Sequence, residues 1–90
     1  SADIESPPIS KSGQDPEVIP VKLTGPVRVE VSTTEDEHLG VELLNAGGEL
    51  VDVVFNEIGP VENATTISEQ GEAFFFIDIN GTWDFSIQSV

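Results

Sequence analysis

The most reactive side chains of this chain lie in "TTEDEH", Thr33 to His38, where Glu35, Asp36 and Glu37 adjoin the single histidine. Such a set suits a hard cation, which takes carboxylate and carbonyl oxygens as ligands. Consecutive residues of an extended chain point alternately to opposite sides, so these three converge on one ion only if a tight loop gathers them. With one histidine and no cysteine, neither a His-rich metal site nor a thiolate nucleophile is available. A second acidic stretch, "DINGTWD" from Asp78 to Asp84, has the Asp, Asn and Gly of an oxygen-rich calcium loop but lacks its spaced acidic ligands and closing Glu. A hairpin turn accounts for the same residues. A catalytic carboxylate also needs a pocket that raises its pKa, and a β-domain this small seldom encloses one. The expectation is a protein that is not an enzyme, with no metal site and no cofactor.

Aromatic side chains offer a different chemistry. Trp83 with Phe74, Phe75 and Phe76 would make a stacking platform for sugar if exposed. The alternation Trp83, Phe85, Ile87 instead matches a buried face, so Phe75, Ile77, Trp83, Phe85 and Ile87 are expected in the core. Phe74 and Phe76 fall on the opposite side of their strand from Phe75 and Ile77. Something must cover them, either a second sheet or another chain, which makes them the interface candidates. Asn63-Ala64-Thr65 and Asn80-Gly81-Thr82 are both N-x-Thr acceptors, expected in loops, and the pair favours an exported chain glycosylated at Asn63 and Asn80.

The charge balance narrows the partners. Seventeen Asp and Glu oppose three Lys and Arg, a net charge of -14 over 90 residues. Nucleic acid and anionic bilayers both require a basic patch, and Lys11, Lys22 and Arg28 are scattered. So lopsided a surface points to adaptation to high salt, where screening over about 3 Å at molar ionic strength makes like-charge repulsion tolerable. No apolar run approaches the roughly 18 residues of a membrane span, so no membrane insertion by this chain is expected.

The elements that position these residues read as strands. Residues 1–16, "SADIESPPISKSGQDP", are rich in Pro, Ser and Asp and are expected to form an extended arm or linker. Ile4 and Ile9 would be its anchors if it lay on a neighbouring subunit. Period-two alternation then begins with Ile19, Val21 and Leu23, in a run where Pro20, which cannot donate to a ladder, requires either a sheet edge or a bulge. It continues through Val27, Val29 and Val31, then Leu39, Val41 and Leu43, with a hairpin turn at Asn45 to Gly48. Leu50 to Phe55 reads as a strand covered on both faces or carrying a bulge. A short strand near Thr65 to Ser68 precedes Ala73 to Ile79, and Asn80-Gly81 predicts a bulged hairpin into Trp83 to Ile87. The fold class expected is all-β, a small antiparallel β-sandwich of six to seven short strands over residues 17–90 with an extended N-terminal arm.

The order of core and turn residues Leu43, Leu44, Gly47, Gly48, Asn56, Glu57, Ile58, Gly59, Phe75 to Ile79, Gly81 and Trp83 resembles a small all-β module of secreted and lipid-anchored surface proteins in bacteria and haloarchaea. The likeness covers the C-terminal half. It implies a β-sandwich at a cell surface and carries over no catalytic residue. The function expected is a structural or adhesive surface module, extracellular or at the cell surface, with itself or other surface proteins as partners. Its self-assembly into a filament would pair an arm or edge strand carrying Ile4, Ile9, Ile19, Val21 and Leu23 with the next subunit. The alternative is an accessory domain of a larger exported protein that binds glycan or a divalent cation.

Overall fold

The structure, a computed structural model, describes residues 4–90. Eight strands follow one another: β1 Ile9–Gln14, β2 Glu17–Leu23, β3 Val27–Thr33, β4 His38–Asn45, β5 Leu50–Ile58, β6 Val61–Ile67, β7 Gly71–Asp78 and β8 Thr82–Ser89. They form two four-stranded sheets, ordered β1-β8-β3-β6 and β2-β7-β4-β5, and every strand pairing is antiparallel. Among the described residues there is no helix.

Alternation of apolar and polar residues gives each sheet one greasy face, and the two greasy faces meet. Val27, Val29 and Val31 of β3 and Trp83, Phe85 and Ile87 of β8 supply one side of the core. Ile19, Val21 and Leu23 of β2, Leu39, Val41 and Leu43 of β4, and Ala73, Phe75 and Ile77 of β7 supply the other. Phe75 and Phe85, from opposite sheets, bring their ring centroids to 5.2 Å in a tilted contact, a geometry that aromatic quadrupoles favour.

The strand count is eight rather than six or seven, because the added strand lies in the segment expected as an arm. Residues 9–14 are β1 and pair with β8 of their own chain, Ile9 opposite Ile87 and Gln14 opposite Thr82. Ile9 is buried in the shared core, as are Ile19, Val21 and Leu23, while Ile4 is exposed. The expected arm is therefore corrected from Ile9 onward; its first three residues lie outside the described ones. The strand was missed because its inward phase is barely apolar: Ile9 is followed by Lys11 opposite Phe85 and by Gly13, which fills a core-facing place beside Trp83.

Of the edge and the bulge that Pro20 left open, the structure has the edge. Strand β2 borders its sheet, and Lys22 donates its backbone N–H outward to the Glu5 carbonyl at 2.8 Å. Two residues back, Pro20 turns its nitrogen the same way, so its missing N–H removes nothing from the ladder with β7. The Asn45–Gly48 hairpin is also present, and β4–β5 is the one consecutive pair of these strands that shares a sheet. Asn45 Oδ1 accepts the N–H groups of Gly47 at 2.9 Å and Glu49 at 3.0 Å, and Gly48 takes the positive φ of 84° that closes the turn. Strand β5 does carry bulges against β4, but it lies at an edge with Leu50, Val51 and Val53 exposed rather than covered on both faces.

The Asn80-Gly81 hairpin is overturned. Strands β7 and β8 belong to different sheets, so the turn carries the chain across the core. A tight hairpin would have split the apolar set between two faces, and a bulge is one remedy for that conflict. Crossing between sheets is the other: Phe75 and Ile77 face Trp83, Phe85 and Ile87 across the interior with no bulge needed.

Candidate functional site

The acidic loop between β3 and β4 ties down the chain crossing instead of gathering its carboxylates. Glu35 turns its carboxylate to the crossing between β7 and β8, accepting the N–H of Thr82 at 2.8 Å and its hydroxyl at 3.2 Å. Thr33, buried at the end of β3, donates to the Thr82 carbonyl at 2.8 Å and accepts the N–H of Glu35 at 3.0 Å. His38 bonds through Nε2 to Asn56 Oδ1, away from Glu35. Asp78 and Asp84 stand on different sheets, and Asp84 accepts from Ser12. Among the described residues no three His, Asp or Glu side chains converge where they could hold a metal ion.

Trp83 is 2% exposed and donates its indole N–H to the Asp15 carbonyl at 3.0 Å. It supports the core and offers no stacking surface. Phe75, Ile77, Phe85 and Ile87 are buried with it. Asn80 is exposed in the turn, whereas Asn63 lies in edge strand β6 rather than in a loop, exposed, with its amide donating to Glu57 at 3.0 Å.

With the core side chains inside, two outer faces remain, and their chemistry is opposite. On sheet β1-β8-β3-β6 the outward positions are Ser10, Ser86, Glu30 and Ala64 in one row and Ser12, Asp84, Ser32 and Glu62 in the next. Small side chains at its floor leave an open hollow of about 530 Å³ on this polar face. Arg28 stands at its rim, 2.8 Å from the Glu30 carboxylate.

On sheet β2-β7-β4-β5 the register aligns Pro20, Phe74, Leu44 and Leu50 in one row and Val18, Phe76, Glu42 and Val53 in the next. Val18, Leu50 and Val53 are 52%, 56% and 47% exposed, and Phe74, Phe76 and Leu44 are half-buried. Phe74 and Phe76 thus lie on the outside, with no second sheet over them, at the centre of a stripe that crosses all four strands. Pairing across the sheet assembled this stripe. Val18 and Val53 were not singled out in the sequence and Leu44 was named only among core and turn residues, although phase could have placed two of them: Val18 alternates with buried Ile19 and Val21, and Leu44 with buried Val41 and Leu43. Carboxylates border the stripe along β7, with Glu72 at one end and Asp78 at the other.

The cations are distributed unevenly. Lys11 is bonded to Glu5 at 2.9 Å, and that hydrogen bond, with the attraction of the charge, holds its ammonium above its ordinary pKa. Arg28 is paired with Glu30 on the polar sheet. Lys22, opposite Glu72, is the cation beside the apolar stripe. No family model, curated protein or solved structure matches this chain.

Proposed function

We propose that this chain is a non-enzymatic structural or adhesive module of the cell surface of a salt-adapted organism, an eight-stranded sandwich in jelly-roll order that works by offering one sheet face to other proteins. The observation that carries the reading is the apolar stripe through Val18, Phe74, Phe76, Leu44, Leu50 and Val53 on the outside of a chain with net charge -14. A soluble, highly charged domain leaves a contiguous apolar face bare where a partner covers it. The acidic balance, the exposed Asn63 and Asn80 acceptors and the resemblance of the C-terminal half to surface modules support the placement outside the cell. Donation of an arm from Ile9 onward has no part in the reading, since Ile9, Ile19, Val21 and Leu23 serve the chain's own core.

The test compares the native chain with a Phe74→Ser/Val53→Ser variant. A dye that fluoresces on apolar surface should bind the folded native chain and lose most of its signal on the variant, with matching circular dichroism. Equal signal from both would remove the face from the reading. Release of the chain's peptides from intact cells by protease tests the location.

The polar hollow favours a second reading, an accessory domain that holds glycan. Ser hydroxyls, Arg28 and the carboxylates of Glu30, Glu62 and Asp84 provide donors and acceptors for sugar hydroxyls in a space of about 530 Å³. Amide shifts confined to β1, β3, β6 and β8 on titration with oligosaccharides would establish it, and no shifts would remove it.

A further inference from the structure

Resting on the reading of the apolar face as a contact surface, we infer that its occupant is an amphipathic helix of a second protein whose apolar stripe is interrupted by a lysine or arginine set against Glu42. Three features of the face select this partner over a second copy of the chain or an added strand.

The first is Glu42 itself. It is half-buried in the middle of the apolar rows, between Phe76 on one side and Val53 on the other. Covering it removes water from a carboxylate, which is costly unless a cation meets it. A second copy packed face to face would present another Glu42 to a carboxylate that is losing its water, the opposite of what the site requires. Asp78 extends the same preference to one end of the stripe on β7, while Glu72 at the other end already has Lys22 opposite it.

The second feature is the state of the sheet edges. Strand addition needs a free, regular edge. Strand β2 already receives Glu5 as a short parallel bridge opposite Val21, with Lys22 N–H bonded to the Glu5 carbonyl. Strand β5 slips register twice against β4, between Val41 and Glu42 and between Leu43 and Leu44, and such bulges twist an edge away from pairing. The sheet therefore meets a partner with its face.

The third is size. The apolar rows cross four strands, so they span three interstrand spacings, about 14 Å. That is the length of about ten helical residues at a rise of about 1.5 Å each. A helix lying along the rows covers Phe74, Leu44 and Leu50 with one line of side chains and Phe76 and Val53 with the next, leaving one position opposite Glu42.

The experiment uses the whole chain and three stapled peptides of about 14 residues, stapled because so short a helix is marginal in water. One has a leucine stripe with a central lysine; the second replaces that lysine by glutamate; the third scrambles the lysine peptide at constant composition. Amide shifts and affinities are followed by NMR titration. The expected result is shifts confined to β2, β4, β5 and β7, with the lysine peptide bound about two- to five-fold tighter than the glutamate peptide, the scale of one surface ion pair. Glu42→Gln should abolish that preference and Glu42→Lys should reverse it. Shifts spread over both sheets, equal binding of the scrambled peptide, or a preference indifferent to Glu42 would overturn the inference. Failure of all three peptides while the dye still distinguishes the native chain from the Phe74→Ser/Val53→Ser variant would reject the helical partner and leave the contact face standing.

Discussion

At the scale of the residue, Gly13 and Trp83 fit together with no room for a further side chain. A Cβ built on Gly13 would lie 2.6 Å from the indole Cζ2, closer than real side chains approach, so glycine is required here by space. The indole is held by its bond to the Asp15 carbonyl and by burial in the core, and it cannot retreat without losing both. Gly13→Ala should destabilise the fold by about 1–3 kcal/mol, the usual range for overpacking, measured by urea unfolding followed through Trp83 fluorescence. An unchanged midpoint would mean that β1 shifts freely over the indole. The turn residue Asn45 makes a smaller contribution. Its Oδ1 accepts from both Gly47 and Glu49, and Asn45→Ala should cost about 1 kcal/mol, with faster hydrogen exchange restricted to the ends of β4 and β5.

At the scale of the element, β1 decides how the N-terminal segment is to be understood. Paired along its length with β8, it puts Ile9 opposite Ile87 and covers the edge of a strand that carries Trp83, Phe85 and Ile87. Ile9→Ala should destabilise the isolated chain by about 2 kcal/mol or more through the cavity it leaves. Deletion through Gln14 should unfold the domain or leave it prone to edge-to-edge association, because the β8 edge is then bare. A shortened chain that stays monomeric with native stability would show that β1 is dispensable and free to pair elsewhere. Much of the remaining pattern was legible: the inward rows from alternation and the Asn45–Gly48 turn from its residue types, while Pro20 left an edge or a bulge open. β1 was not, since of its three positions opposite the core residues Ile87, Phe85 and Trp83 only Ile9 is apolar, the others being Lys11 and Gly13.

At the scale of the whole molecule, net charge dominates. With Lys11 and Arg28 each tied to a neighbouring glutamate, most of the 17 carboxylates repel one another at low ionic strength. The Debye length falls from about 10 Å at 0.1 M to about 3 Å at 1 M salt, so added sodium chloride should relieve the repulsion. At this size each 1 kcal/mol relieved raises the thermal midpoint by about 4–8 °C. Calorimetry from about 0.1 to 2 M salt should show the rise, and a variant with several exposed Glu→Gln substitutions on the polar sheet should show a shallower one. A midpoint independent of salt would separate the acidic composition from any stabilising role of salt. The same field makes self-association through the apolar stripe unfavourable in dilute buffer.

The sequence by itself determined most of the strand pattern after residue 17, the core set around Trp83 and the acidic surface, because side-chain alternation and composition are local quantities. It also separated Phe74 and Phe76 from the core by phase. Only the tertiary structure decided which strands are neighbours. That choice sent Asn80-Gly81 across the core instead of around a hairpin, drew Ile9 into its own sheet, and lined up Val18, Phe74, Phe76, Leu44 and Val53 from four separate segments. The physical reason is that burying both apolar faces at once depends on all eight strands together, and no single stretch of chain records which partner its neighbour has taken.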